Sequence, residues 1–306
     1  MRRAVLAFAL LLASCASVPS TNSQPEIAVT IDDHPVHSPY PPGVTPTEVN
    51  EQMVAALKAG GIPVIGFVNG VGTEQYPETL QVLPEWRSAG LLLGNHSWTH
   101  PHLSDITIEQ FESELMKGDP FLQRLGDGSD WRWFRYPFLD EGKDEAQRNA
   151  ARQVLAKHGY RVADVTTSFS DWAFTPAWAR CNAAGDKAAI AKLEQIYLDA
   201  AKESISVARG TAHALYDRDI PYVLLMHISA MSAHMMPKVI KMYRDAGFHF
   251  VTLRQAESDP VYRPDIDLSL PGRVPDWKLA QQKGVKLPQA TDLTVKLNAM
   301  CAAPRS

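Results

Sequence analysis

The chain has 306 residues, of which 45% are hydrophobic and 21% are charged, and its formal net charge is −4 at pH 7. This composition is that of a globular protein with one large core, and it excludes a disordered chain. Because the charge is slightly negative and no basic run occurs, nucleic acid is excluded as a partner.

The first fifteen residues have the organisation of an export signal. Two arginines follow the initiator methionine, and residues 4–12 form an apolar run that is too short to span a bilayer. The following Leu-Ala-Ser-Cys at 12–15 resembles the bacterial lipobox, in which the cysteine is lipidated. We therefore predict a lipoprotein signal peptide at 1–15, with Cys15 lipidated and the protein anchored to the membrane on the periplasmic side of the bacterial cell envelope. A plain secretory signal, and hence a secreted protein, is the alternative.

Residues 16–24 are rich in Ser, Thr, Asn and Pro, which cannot pack a core, and we predict that they form a polar tether. Loss of Arg2 and Arg3 with the signal reduces the 30 basic residues to 28 against 34 acidic residues, a formal charge of about −6. This balance argues against polyanionic substrates.

Two cysteines remain beyond Cys15, namely Cys181 and Cys301. In an oxidising compartment they either form a disulfide that ties the tail to the domain or remain two buried free thiols. The sequence leaves both possibilities open, because it does not give the distance between them.

Beyond the tether, short apolar runs rich in β-branched residues alternate with longer stretches of helical period, the pattern of a parallel α/β fold. The predicted strands are 26–31, 63–68, 91–94, 131–136, 161–166, 222–227 and 248–253. The predicted helices are 47–58, 106–125, 144–157, 187–207 and 237–245. About seven strands fit either a barrel or an open doubly wound sheet, and the periodicity does not choose between them. The chain becomes Pro-rich after Asp259, so we divide it into a domain at 25–260 and a C-terminal extension at 261–306.

Polar residues follow directly after several of these strands. In parallel α/β folds the catalytic groups lie at these strand ends. The first strand ends in Asp32 and Asp33, two adjacent acids of which one commonly holds a cation while the other acts as a base. The third strand leads into His96 and His100, whose spacing places both imidazoles on one side of a helical turn and suits a shared metal. Imidazole and carboxylate together indicate zinc or a similar divalent ion.

Three further strand ends carry Arg135, the pair Asp171 and Trp172, and His227. Each feature alone has an ordinary explanation: an Asp-Asp pair is commonly a cap or a solvated turn, a lone His-x-x-x-His is commonly a surface accident, and an Arg before Pro is usually structural. Their occurrence together at strand ends indicates a catalytic site.

The segments Thr-Ile-Asp-Asp, His-Ser-Trp-Thr-His, Arg-Tyr-Pro, Asp-Trp and Leu-Met-His resemble, in this order, the five motifs of the NodB-like polysaccharide deacetylases, a carbohydrate esterase family. The resemblance runs from about residue 27 to residue 260. It implies an α/β fold, a distorted (β/α) barrel with about seven parallel strands rather than eight.

The resemblance also implies a role for each residue in these motifs. The metal ligands would be Asp33, His96 and His100, holding a divalent metal ion that we expect to be zinc. Asp32 would be the general base, and Arg135 would pair with it. His227 would protonate the leaving group, and Asp171 would orient its ring.

Three more residues would form the binding surface for the substrate. The backbone N–H of Phe138 would stabilise the oxyanion. Trp172 and Leu225 would wall the site and receive the acetyl methyl group. Trp98, which lies between the two metal-ligating histidines, is predicted to line the cleft.

The sequence departs from the family pattern at His34, where relatives usually have glycine; the usual phenylalanine is also replaced by Ile31, a harmless apolar exchange. His34 would be an extra metal ligand, a contact to the substrate or a residue that fills space, and we favour the last two because three ligands and a water complete a catalytic site. We assign it to substrate binding. His102 is a further histidine near the second motif, and we treat it as structural.

The resulting prediction is a hydrolase that removes acetyl groups from an N-acetylated polysaccharide of the peptidoglycan or poly-N-acetylglucosamine type. An O-acetyl esterase acting on xylan-type glycans is the nearest alternative, because the same activation of water serves both bonds. A catalytically silent glycan-binding lipoprotein is the second alternative, and it would be expected to lack the base or the acid.

Overall fold

Seven parallel strands carry the site in the computed structural model, which describes residues 24–126 and 130–302. They are β1 (Glu26–His34), β2 (Val64–Val68), β3 (Leu92–Asn95), β4 (Trp133–Phe134), β5 (Arg161–Val162), β6 (Tyr222–His227) and β7 (His249–Phe250). Each predicted strand region overlaps one of them. The expected number and parallel direction of the strands are therefore confirmed.

The sheet closes on itself. Its hydrogen-bonded order is β5-β4-β3-β2-β1-β6, with β7 paired to the start of β1. The two ends of this order meet where the chain after β5 runs beside β6: Thr167 N donates to Val223 O and Leu225 N donates to Thr167 O, both at 3.1 Å. The fold is thus a distorted (β/α) barrel, and the choice that the periodicity left open is decided.

Helices cover the outside of the barrel. They are α1 (Pro46–Gly60), α2 (Val71–Gln75), α3 (Val82–Ser88), α4 (Ile108–Leu125), α5 (Glu145–Lys157), α6 (Phe174–Ala183), α7 (Lys187–Tyr216), α8 (Ala230–Asp245), α9 (Leu253–Ala256), α10 (Arg263–Ile266), α11 (Asp276–Lys283) and α12 (Thr294–Ala299). The five predicted helices correspond to α1, α4, α5, α7 and α8. The remaining helices of the described residues are all shorter than α5 and were not predicted.

Side chains at the helix starts explain two of these boundaries. Thr45 caps α1 with a capping box to Glu48, which satisfies amide groups that the first turn leaves free. Ser229 caps α8 by accepting the Ser232 N–H. Because of this cap α8 begins well before Pro237, where the sequence pattern placed its start, and it contains that proline in its interior.

The strand β1 is buried on both faces, because the barrel interior is filled and helices cover the outside. Ile27, Val29 and Ile31 pack in the layer between sheet and helices. The intervening Ala28 packs with a second apolar cluster from alternate residues of the other strands, which fills the barrel: Ile65, Phe67, Trp133, Ala163 and Val223. Asp32 continues the inward series.

The described residues after Pro260 pack against the rest of the protein. Tyr262 is fully buried, and Leu297 of α12 joins the main core. Arg180 of α6 donates to the Leu297 carbonyl oxygen at 3.0 Å. Cys181 is bonded to Cys301, with Cα atoms 5.1 Å apart, so the pairing that the sequence left open is formed.

Within residues 24–126 and 130–302, no helix combines the length and the apolar character needed to cross a membrane. The predicted signal peptide, Cys15 and most of the predicted tether lie outside the described residues.

Candidate active site

Two adjacent carboxylates, Asp32 and Asp33, lie near the end of β1 and face one cavity at the mouth of the barrel. Neighbouring residues of a regular strand point to opposite faces. At Asp33 the backbone enters the left-handed region (φ 63°), and the pairing of β1 with β2 is irregular between Ile31 and His34. This turn brings the second carboxylate to the side of the first, in a conformation that aspartate tolerates better than most residues.

Asp33, His96 and His100 offer three ligating atoms that all lie within 4.8 Å of one another. Asp33 Oδ1 is 3.6 Å from His96 Nε2 and 3.3 Å from His100 Nε2. The His96 Nδ1–H donates to the Arg135 carbonyl oxygen at 2.8 Å, which fixes the tautomer and leaves the Nε2 lone pair facing the other two groups. The three predicted ligands are therefore brought together.

The protonation states of these groups favour a bound cation. Burial alone would raise the pKa of Asp33, but the hydrogen bond from His37 and the charges of His227 and His96 hold that pKa below its usual range. Burial and the neighbouring His96 lower the pKa of His100 to about 4. At neutral pH the site presents a carboxylate and a neutral imidazole, the forms that bind metals. The donor set of one carboxylate and two imidazoles fits zinc or a similar divalent ion.

The segment that joins the two histidines is a tight bend. The prediction of a helical turn, which was based on their spacing, is therefore wrong. Ser97 (φ 61°) and His100 (φ 58°) both adopt left-handed conformations. Asn95 stabilises the bend, because its Oδ1 accepts the Ser97 N–H at 2.8 Å. The bend leaves the centres of the His96 and His100 rings 4.8 Å apart.

Arg135 lies completely buried beneath Asp32. Its Nη1 donates to both oxygens of the Asp32 carboxylate, at 3.2 and 3.1 Å. Its Nε donates to the Ala163 carbonyl oxygen at 2.8 Å, and Nη2 donates to Thr30 Oγ1 at 3.1 Å. A buried ion pair is tolerated when such additional hydrogen bonds satisfy its remaining donors. The pairing of Arg135 with Asp32 is therefore present, and it ties β1, β4 and the chain after β5 together.

Beside Asp32, His227 is its Cα partner on the neighbouring strand β6. Its Nδ1 donates to Asp171 Oδ1 at 2.8 Å, and its backbone N–H donates to Asp171 Oδ2 at 2.8 Å. The Ser232 hydroxyl donates to the same Oδ2 at 2.8 Å. Burial would lower the pKa of His227, but the adjacent Asp171 carboxylate outweighs burial and raises it to about 9. His227 is therefore an imidazolium at neutral pH, oriented by a buried carboxylate.

The cavity between these groups has a volume of about 360 Å³. It is lined by the carboxylates Asp32 and Asp33, the imidazoles of His37, His96, His100 and His227, and the side chains of Phe138, Leu139, Ser168, Trp172 and Leu225. Three residues predicted to contact the substrate are among them. Phe138 and Trp172 stand at the rim, 57% and 51% exposed, whereas Leu225 is buried in the wall. The Phe138 ring stacks on His102, with ring centres 3.7 Å apart.

Two residues assigned to the substrate do not line this cavity. His34 is completely buried, its ring packs edge-on against Trp86, and neither ring nitrogen has a hydrogen-bond partner among the described residues. Its assignment to substrate binding is therefore wrong, and of the alternatives it is the one that fills space, with a pKa that burial lowers to about 3. The Trp98 ring lies against Gly70, where a Cβ would be 2.0 Å away, and its Nε1 donates to Glu74. Its assignment to the cleft is also wrong.

His37 lines the cavity, although the sequence analysis assigned it no role. Its Nδ1 is 2.7 Å from Asp33 Oδ2, and its ring centre is 5.0 Å from that of His227. The signal in the sequence was its place in the segment that follows β1. The reversal of direction at Asp33 exchanges the two histidines: it sends His34 outward and lets His37 return to the site.

Part of the chain matches known proteins. Residues 20–163 match the model of the polysaccharide deacetylase family. The peptidoglycan-N-acetylglucosamine deacetylase of Bacillus cereus is 24% identical over 100 residues, which are 33% of this chain and 32% of that protein. The chain thus matches about a third of the length of this curated relative.

Solved structures share the fold. A CE4 family pseudoenzyme from Bacillus anthracis is 15% identical, with 76% of this chain and 65% of that one covered and a TM-score of 0.53. A mutant of it, with restored enzymatic activity, is 16% identical over 76% and 67% of the two chains, with a TM-score of 0.54. The Xyl-CE4 domain of a multidomain xylanase from the hindgut metagenome of Trinervitermes trinervoides is 16% identical over 79% and 94%, with a TM-score of 0.53.

At these identities the structural likeness shows the fold alone. The matched residues 20–163 contain the carboxylate pair, His96, His100 and Arg135. The Asp-Trp and Leu-Met-His motifs follow beyond residue 163, and Trp172 and His227 from them line the same cavity. The chain is thus similar to the polysaccharide deacetylases over residues 20–163, just under half of its length.

Proposed function

We propose that this protein is a metal-dependent hydrolase that removes acetyl groups from an N-acetylated polysaccharide. The observation that carries the proposal is the shared cavity of a base, an acid and a metal-ligand set. Asp32 and His227 lie side by side on adjacent strands and line the same cavity as Asp33, His96 and His100. The matching peptidoglycan deacetylase relative favours peptidoglycan, or a similar amino-sugar polymer such as poly-N-acetylglucosamine, as the substrate.

The three ligands would hold a divalent ion, and zinc fits their chemistry best. When bound, this ion would supply Lewis acidity to the acetyl carbonyl and acidify a water molecule. Asp32 would accept the proton of the attacking water, because Arg135 holds its carboxylate in place at the cavity floor. The Phe138 backbone N–H would donate to the oxyanion that forms on the carbonyl oxygen.

His227 would then donate a proton to the departing amine. With Nδ1 bound to Asp171, the proton on Nε2 is the one available to the substrate. A pKa raised to about 9 keeps this proton in place at neutral pH until the C–N bond breaks. Trp172 and Leu225 would exclude water around the acetyl methyl group.

A catalytically silent glycan-binding protein is the competing function, since solved neighbours include a pseudoenzyme. A silent protein would be expected to lack the base or the acid, whereas this chain has Asp32, His227 and the ligand set in one cavity. An O-acetyl esterase on xylan-type glycans differs only in the bond cleaved. We further propose that the protein is lipidated at Cys15 and acts on the periplasmic side of the bacterial cell envelope, or is secreted if Cys15 is not lipidated.

The test is acetate release by the purified protein, stripped of metal and then reloaded with zinc. Peptidoglycan, chitooligosaccharides and acetylated xylan are the substrates, and Asp32→Asn is the control. We expect zinc-dependent release from the N-acetylated glycans that is at least about 100-fold slower in the variant. Release from xylan alone would support the esterase. Stoichiometric zinc with no release from any glycan would support the binding protein.

A further inference from the structure

His37 is a partly buried cavity residue that the proposed mechanism leaves without a role. Its side chain is 18% exposed, and Nδ1 lies 2.7 Å from Asp33 Oδ2. A carboxylate with no bound proton is an acceptor only, so the imidazole must donate here through an Nδ1–H. The contact is therefore a directed hydrogen bond to a metal ligand.

The two oxygens of Asp33 have different partners. Oδ1 lies 3.6 Å from His96 Nε2 and 3.3 Å from His100 Nε2, on the side where the three ligating atoms converge. Oδ2 is held by His37. A carboxylate ligates a cation through one oxygen or through both. Occupation of Oδ2 by a donor leaves Oδ1 as the single ligating atom.

The segment around His37 is itself fixed. Val36 N donates to the Asp33 carbonyl oxygen at 2.8 Å, and His37 N donates to the Tyr40 hydroxyl at 3.2 Å. Farther back, the buried Asn50 Nδ2 donates to the Pro35 carbonyl oxygen at 2.8 Å. These bonds fix the backbone from which the His37 ring reaches Asp33, so the hydrogen bond between the two side chains is formed on a held segment.

We propose that His37 is a positioning residue that locks Asp33 as a one-oxygen ligand and thereby sets the metal affinity of the site. The inference rests on the proposed metal-dependent function. The role belongs to Nδ1, since that nitrogen makes the contact. Loss of a hydrogen bond to a metal ligand typically weakens metal affinity 10- to 100-fold.

Two substitutions separate this role from a contact with the substrate. His37→Asn places an amide nitrogen where Nδ1 stands and removes Nε2, whereas His37→Ala removes both nitrogens. The matched control is His249→Ala, an exposed histidine of β7 at the amino end of the barrel. Affinity for Co²⁺ is measured from its visible absorption, affinity for Zn²⁺ by competition with a chelator, and kcat and KM are measured at saturating zinc.

We expect His37→Ala to lower the affinity for both ions by about 10- to 100-fold, and His37→Asn to restore it to within about threefold of the unmodified protein. The Co²⁺ spectrum should change in the Ala variant and return in the Asn variant, while KM stays nearly constant in both. Unchanged affinity in His37→Ala would overturn the proposal. Normal metal affinity with a raised KM in both variants would also overturn it, and would assign His37 to the substrate through Nε2.

The proposed function and the positioning role of His37 would be refuted by different results. A protein that binds zinc with the expected dependence on residue 37, yet releases no acetate, would refute the deacetylase and leave the positioning role intact. A protein that binds neither ion would overturn both.

Discussion

Replacement of Asp171 by Asn should move the alkaline limb of the pH–rate profile downward by about two pH units. Asp171 is fully buried, and its Oδ1 accepts the Nδ1–H of His227 at 2.8 Å. Burial opposes protonation of His227, and the Asp171 charge overcomes burial to place the pKa at about 9. Asparagine keeps a similar shape and an acceptor oxygen but removes the charge, so the pKa of His227 should fall toward its ordinary value of 6.5.

The size of the effect follows from the two pKa values. At pH 7.5 a group with a pKa of about 9 is about 97% protonated, and a group with a pKa of about 6.5 is about 10% protonated. Loss of the proton donor alone should thus slow the reaction about tenfold at pH 7.5. At pH 6 the variant should regain most of this factor, because His227 is then protonated in both proteins.

The assay is kcat/KM for acetate release between pH 5 and 10, at saturating zinc. Zinc affinity serves as the control, because Asp171 contacts none of the three ligands and the variant should bind zinc normally. An alkaline limb that stays near pH 9 in Asp171→Asn would refute the assignment of His227 as the acid whose charge Asp171 sustains.

The raised pKa of His227 also predicts how the free energy of unfolding of the metal-free protein depends on pH. A folded-state pKa of about 9 against 6.5 in the unfolded chain corresponds to about 3 kcal/mol. Because the folded-state pKa is raised, this contribution is complete below about pH 6.5 and is lost as the pH rises through about 9. Urea unfolding of the metal-free protein should give a lower free energy of unfolding at pH 9.5 than at pH 6.5. Asp171→Asn should remove most of this difference.

Three further substitutions test the surrounding structure. Arg135→Met leaves the Asp32 charge buried without its partner and should lower the free energy of unfolding by about 3–5 kcal/mol in urea titrations; a loss under about 1 kcal/mol would contradict the dry ion pair. His34→Leu removes two unpaired ring nitrogens from the core and should raise that free energy by about 1–3 kcal/mol with kcat unchanged, whereas a drop in kcat at normal metal affinity would return this residue to the site. Paired serine substitutions at Cys181 and Cys301 should cost about 2–5 kcal/mol in thermal unfolding, with an unaltered midpoint contradicting a formed disulfide.

Much of the site was predictable because parallel strands present their following residues at one end of the sheet. This rule placed Asp32, Asp33, His96, Arg135 and His227 together, and the structure agrees. The closure of the barrel was not predictable from periodicity, because open and closed sheets alternate strands and helices in the same way. Closure depends on Thr167, which lies outside any regular strand.

The predictions for His34 and Trp98 failed for the same reason, a local turn of the backbone. His34 and His37 look equivalent in the sequence, and the left-handed conformation of Asp33 decides which of them reaches the cavity. Trp98 lies between two ligands in the chain, yet the bend that brings those ligands together directs its ring onto Gly70. Such reversals depend on one φ angle, and residue types indicate them only weakly.

The seam of the barrel is the contact of Thr167 with β6 that closes the sheet. The residues of the site lie on parts of the chain that are held by different numbers of strand pairings. The proposed ligands and the proposed base lie at the end of β1 and directly after β3, in the continuously paired part of the sheet, and Arg135 after β4 holds Asp32. The chain carrying Asp171 joins β6 through an isolated bridge at Thr167, only a few residues earlier. If this seam parted, Asp171 would leave His227 while the metal ligands kept their places. A molecule with an open seam would thus keep the cluster of Asp33, His96 and His100 but lose the carboxylate that orients His227. The hydrogen bonds of Thr166, Thr167 and Asp171 to β6 would separate these two arrangements.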